Sequence, residues 1–298
     1  MTNYNRINKN HTILLFLLSL FFLIFSIDIQ LNSLTIICFF LIATVGVSHG
    51  SLDHVKGAKL LKIFKIKNKL FFYLTYILIS LMIICFWLLF PSLTIVFFLI
   101  IASYHFGKED SVFGKIKQLK LTDLFLFLKG SIVISAPLYF HAFETILIFE
   151  ILDVKFNELN SNLLIGLIFL SLVSNFFISQ NIFLSLIDFF TIITLNINFE
   201  PLLAFTIYFC FLHSIRHSLS LIKEMNNKNL RKGLIIFIKK AMPLTIITAL
   251  SFLVAVFLLN KYYLLNSAIL KVIFIGLASL TFPHILLEYL LEKNENRT

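Results

Sequence analysis

"LFFYLTYILISLMIICFWLLF", residues 70–90, carries no charged side chain. Wound as a helix rising about 1.5 Å per residue, such a stretch crosses roughly 30 Å of hydrocarbon. Comparable apolar stretches recur along the chain, at approximately 12–29, 33–50, 93–106, 121–141, 162–178, 181–197, 201–222, 241–260 and 265–291. A backbone inside lipid must satisfy its own hydrogen bonds, and helices do so within one segment. The pattern therefore predicts an all-α fold, a polytopic transmembrane helical bundle of about ten spans. Composition agrees, because 59% hydrophobic and 13% charged residues lie outside the range of soluble domains. Residues 12–27 have the apolar core of a signal peptide, but no small-residue cleavage site follows, so they are read as a retained helix.

The formal charge of +10 sits in short connections. Lys56, Lys59, Lys62, Lys65, Lys67 and Lys69 follow the second span; Lys108, Lys115, Lys117 and Lys120 follow the fourth; Lys223, Lys228, Arg231, Lys232, Lys239 and Lys240 follow the eighth. The connection after the fifth is acidic, with Glu144, Glu150, Asp153 and Glu158 against Lys155. Ten spans with both termini cytoplasmic place each basic loop inside, as a multi-pass protein of the plasma membrane requires. The same placement explains the basicity without nucleic acid. Cys38, Cys85 and Cys210 lie in apolar segments without CxxC spacing, which argues against a disulfide framework or zinc knuckle. No hydrophilic linker or low-complexity segment divides the chain, so residues 1–298 are read as one membrane domain.

The histidines carry the functional signal. Ionisable groups are costly inside a bilayer and are usually functional there. On the expected topology His49, His54, His105, His213, His217 and His284 converge at one depth, near the inner face, leaving His11 in the tail and His141 outside. His213 and His217 are spaced i, i+4, so both imidazoles project from one helix face and can chelate one ion. Imidazoles without cysteine suit Fe, Zn or Cu better than Mg or Ca, and ligand type does not choose among the three. Asp53, Glu109, Asp110 and Glu288 lie within about a turn of these histidines, where a carboxylate can accept the second ring N–H and fix the tautomer. Tyr104, Phe106 and Phe282 adjoin the same positions. The remaining aromatic load, with 36 Phe, is read mainly as core and lipid-facing surface.

"HGSLDH" at 49–54, "YHFGKED" at 104–110, "LHSIRH" at 212–217 and "FPHILLEY" at 282–289 together resemble the Brp/Blh family of bacterioopsin-related membrane proteins, the β-carotene 15,15′-dioxygenases. The resemblance covers most of the chain. It implies an Fe(II) enzyme that cleaves the central double bond of β-carotene with O2 to two molecules of all-trans-retinal, working in the lipid bilayer and delivering retinal to a microbial rhodopsin. It also implies His49, His105, His213 and His217 as the catalytic iron ligands. His54, His284, Asp53, Asp110, Glu288 and Tyr104 would support the ligands or the substrate site. Ser48, where the family more often has proline, and Ser51, in place of a small apolar residue, are departures that remove no ligand.

Rival classes remain open on the residues alone. A metal or proton transporter needs polar residues through the full depth, and here they gather on one side. A diiron desaturase needs more histidines, in boxes with adjacent pairs, and none are adjacent here. A non-catalytic opsin-assembly factor could share the fold.

Overall fold

Asparagine and proline open most of the later helices. The side chains of Asn160, Asn181 and Asn229 each accept a hydrogen bond from a backbone N–H of the first turn. Pro91 and Pro201 take the first helical position, where a missing N–H costs nothing. In the computed structural model, which describes residues 3–25, 33–114, 116–155 and 160–294, these signals open five of eleven helices. The eleven are α1 (Asn3–Phe25), α2 (Leu34–Ile63), α3 (Leu70–Leu89), α4 (Pro91–Glu109), α5 (Thr122–Phe140), α6 (Ala142–Ile151), α7 (Ser161–Ile178), α8 (Ile182–Asn198), α9 (Pro201–Met225), α10 (Leu230–Leu259) and α11 (Leu265–Asn294). Among the described residues, nine are long and apolar enough to cross a membrane, and α8 is a shorter apolar helix.

The bundle is the polytopic helical fold the sequence predicts, with longer helices at two places and an added short helix at a third. Residues expected as lysine-rich connections continue α2 to Ile63 and begin α10 at Leu230, and part of the acidic connection forms α6. In α2 and α10 the reason is a narrow inward stripe. Asp53, Gly57 and Leu61 are buried in α2, and Gly233, Phe237 and Ala241 in α10, each at i, i+4, i+8. Averaged hydropathy hides such a stripe behind the lysines of the opposite face.

Helix α9 is the most buried of the spans, whereas α3 and α10 are the least. Their outward side chains include Leu74, Leu78, Leu88, Val254 and Phe257, all strongly exposed. A contiguous apolar surface of this extent is tolerable only against lipid.

Two helices meet backbone to backbone. A Cβ added at Gly107 of α4 would come within 1.9 Å of the Leu126 carbonyl oxygen, and one at Gly130 of α5 within 1.9 Å of the Ser103 carbonyl oxygen. Small residues let helices approach this closely where lipid supplies no hydrophobic drive to pack them. The contact fixes the end of α4 that carries His105, Glu109 and the following Asp110. Two π-helical turns, Ile42–Gly46 in α2 and Tyr208–Ser214 in α9, pack against each other, with the Ser214 hydroxyl donating to the Gly46 carbonyl at 2.9 Å. Such turns shift the side-chain register locally and are frequent at functional sites.

Gly130→Ala is expected to destabilise the protein by about 1–3 kcal/mol through overpacking. Gly166→Ala, where nothing lies within 4 Å of the added carbon, is expected to be neutral or slightly stabilising. Unfolding midpoints of the two variants in detergent provide the comparison.

Candidate functional site

Four helices, α2, α4, α9 and α11, bring polar side chains to one end of the bundle. Three histidines there each place Nδ1 on a carboxylate. His213 donates to Asp110 at 3.2 Å, His217 to Glu109 at 2.5 Å, and His284 to both oxygens of Asp53 at 2.9 Å. The i, i+4 spacing of the α9 pair is thus matched to two successive carboxylates, Glu109 and Asp110, at the end of α4. His105 lies between them, with its ring centroid 5.4 Å from that of His213 and 5.3 Å from that of His284. The His217 and His284 rings are 5.9 Å apart. The four imidazoles form a continuous arc, and all are buried.

Glu288, one turn beyond His284 on α11, extends toward the arc. Its carboxylate is 4.0 Å from His105 Nδ1, 3.6 Å from His284 Nε2, and 2.6 Å from Lys56 Nζ on α2. One potential ligand atom from each of His105, His284 and Glu288 lies within 4.8 Å of the others, and the same holds for Glu109, His217 and Glu288. A carboxylate on Nδ1 fixes the neutral tautomer with a basic Nε2 and orients the ring, as expected of imidazoles prepared to bind a metal.

Two of these carboxylates are anchored in turn. The Tyr76 hydroxyl donates to Asp53 at 2.8 Å, and the Tyr208 hydroxyl to Asp110 at 2.7 Å. Arg216 pairs bidentately with Asp188 of α8 at 2.9 and 2.6 Å and also reaches the Asp110 carbonyl, Asn8 and Thr12. Burial pushes the pKa of Asp110, just beyond the end of α4, upward. Its bond from His213, the Arg216 charge and the Tyr208 bond outweigh that and hold it well below the usual carboxylate range. An apolar group of Tyr4, Leu52, Leu219, Ile222 and Phe237 seals the bundle beneath the arc.

Sequence reasoning placed His105, His213, His217, His284, Asp53, Glu109, Asp110 and Glu288 here, and the structure brings them together. His284 is closer in than the supporting role expected of it, being part of the arc itself. The backbone of His49 lies in the 3-10 turn Val47–Leu52, and its side chain is outside the described residues. His54 bonds the Ser51 carbonyl at 2.9 Å and lines the cavity beside the arc. Tyr104 is not recruited, since its hydroxyl donates to Asp123 at 3.1 Å. Tyr76, Tyr208 and the Arg216–Asp188 pair were missed as supports. Asp188 had a usable signal, being an acid inside an otherwise apolar helix.

Beside the arc lies a cavity of about 570 Å³, lined at one end by His105, His284, Asp53 and His54 and elsewhere almost wholly by apolar side chains. Helices α3 and α10 both pack on α11. Leu81 and Ile247, one from each, line the cavity while being 53% and 57% exposed. The cavity therefore opens sideways between α3 and α10, toward the surface that faces lipid.

A family model described as Beta-carotene 15,15'-dioxygenase matches residues 40–292. A protein of that name from uncultured marine bacterium 66A03 is 26% identical over 276 residues, covering 86% of this chain and 94% of its own length. No solved structure matches.

Asp188→Asn leaves the Arg216 guanidinium buried against a weaker partner, and removal of one member of a buried ion pair costs about 3–5 kcal/mol. Tyr104→Phe is expected to cost under about 0.5 kcal/mol, as a surface change does. Denaturation of the two purified variants tests the contrast.

Proposed function

Because the chain belongs to the β-carotene 15,15′-dioxygenase family, we propose that it cleaves the central 15,15′ double bond of β-carotene with O2 to give two molecules of all-trans-retinal. The observation that carries this reading is that His105 and His284 belong both to the imidazole arc and to the wall of an apolar cavity open to the membrane side. In the balanced reaction one carbon–carbon double bond and one O2 become two aldehyde carbonyls.

The donor set suits Fe(II): imidazoles, three of them oriented by carboxylates, with no cysteine in the cluster. His105, His213 and His217 would hold it together with His49, and His284 shares the geometry of the paired ligands. When bound, iron supplies the O2 chemistry that no side chain here can perform.

The chain's own residues do the rest. Asp110, Glu109 and Asp53 hold the Nδ1 protons of His213, His217 and His284 and so keep each Nε2 basic. Tyr76 keeps the Asp53 carboxylate from rotating, and Tyr208, with the Arg216 charge beside it, keeps that of Asp110. The apolar cavity wall takes a hydrocarbon that partitions into lipid, admits it laterally between α3 and α10, and excludes water from the reacting carbons. Retinal leaves by the same opening into the bilayer, where a retinal-binding rhodopsin is the fitting acceptor.

In carotene-producing cells the parent protein is expected to form retinal and to purify with iron. His213→Ala and His217→Ala are expected to lose both, and Glu109→Gln to bind iron about 10–100-fold more weakly. A well-expressed parent that forms no cleavage product and holds no iron refutes the reading.

A further inference from the structure

We propose that the closed end of the cavity, built by Trp87 and Phe149, is a depth stop that selects which double bond is cleaved. The inference rests on the dioxygenase reading above and concerns how one bond is chosen among many. A conjugated hydrocarbon offers no polar handle, and its double bonds repeat along the chain with similar chemistry. Register along such a substrate has to come from steric length alone.

The cavity has the form this requires. Along α4 its wall is the face carrying Ile95, Phe98, Ala102 and His105. Ten residues at 1.5 Å each separate Ile95 from His105, a depth of about 15 Å. Half of an extended C40 polyene, roughly nine chain bonds and a ring from its central bond, also spans roughly 15 Å, since bond lengths fix a chain's reach. A carotenoid whose ring rests at the far end therefore presents its centre to the imidazole arc, while the other half leaves between α3 and α10 at the arc's own end of the cavity, where Tyr73 and Leu244 line it.

The far end is rigid enough to act as a stop. Trp87 is 2% exposed, its indole N–H donates to the Leu152 carbonyl at 3.3 Å, and its ring lies 6.5 Å from that of Phe98. Phe149 and Ile95 are buried beside it in the same core. Close-packed side chains of this kind yield little to a ligand pressing on them. The hydrogen bond also ties α3 to the end of α6, so the stop spans two elements.

Successive double bonds are about 2.5 Å apart, less than the length an indole removes from the cavity. Shortening the stop should let the substrate slide by one repeat, and cleavage then breaks a neighbouring double bond with the same O2 stoichiometry. The products are one carbonyl compound longer than retinal and one shorter.

The test expresses the parent, Trp87→Leu, Trp87→Phe and Phe149→Leu in carotene-producing cells and separates the apocarotenoids by chromatography. Phe257→Leu on the lipid-facing side of α10 is the control. Off-centre products are expected to rise about tenfold or more in Trp87→Leu and Phe149→Leu, with a smaller rise in Trp87→Phe, on the scale a methylene or more is worth in an apolar pocket. The control is expected to give retinal alone. Variants that still cleave yet yield only retinal overturn the stop. So do variants, including Trp87→Phe, that accumulate normally and lose all cleavage, because a stop redirects the reaction rather than enabling it. A parent that forms no apocarotenoid of any length defeats the dioxygenase reading instead, so the two failures are distinct.

Discussion

The structure depends on three carboxylate–imidazole pairs held away from water. Asp53, Glu109 and Asp110 are carboxylates in a low-dielectric end of the bundle, where each unmatched charge would cost several kcal/mol. They are tolerable because His284, His217 and His213 donate to them, with the Tyr76 and Tyr208 hydroxyls as further donors to Asp53 and Asp110 and the Arg216 charge 3.7 Å from Asp110. The pairs join α2 to α11 and α4 to α9 and the segment after α4 to α9. Satisfying the charges therefore fixes α2 against α11 and α4 against α9, and the imidazole arc forms where the two pairs meet.

The apolar parts of the fold serve the same geometry from the other direction. The glycine contact between α4 and α5 sets how far the end of α4 reaches toward α9, and the facing π-turns of α2 and α9 set the height of His213. Lipid-facing α3 and α10 remain loosely associated with each other and are joined mainly through α11. A rigid centre with a parted rim is the arrangement expected of a site that fixes its reactive groups and accepts a bulky hydrocarbon from the side.

Polar groups also exist at the opposite end, where Lys271 pairs with Asp153 and packs over the Tyr263 ring. Between that pair and the imidazole arc the cavity wall is aliphatic and aromatic, apart from scattered hydroxyls, and it closes on Trp87. A transport route would need ionisable or hydrated groups along this interval. The described residues present instead a largely apolar pocket against the lipid-facing surface, suited to a substrate that enters and leaves on the same side.

The sequence alone determined the fold class and most of the site. Long charge-free stretches such as 70–90 have only one way to satisfy their backbones in lipid, and histidines at one depth stand out because burial there is costly. The i, i+4 pair on α9 and the acids near it were legible for the same local reason. Local pattern could not reveal that His284 joins the arc, that Tyr104 turns away to Asp123, or that Arg216 and Asp188 brace Asp110 from another helix. Nor could it reveal the lysine-bearing extensions of α2 and α10, whose buried stripes are only one residue wide. These were decided by the tertiary structure, because which polar group satisfies a buried charge depends on helices that are distant in sequence and meet only when the bundle closes.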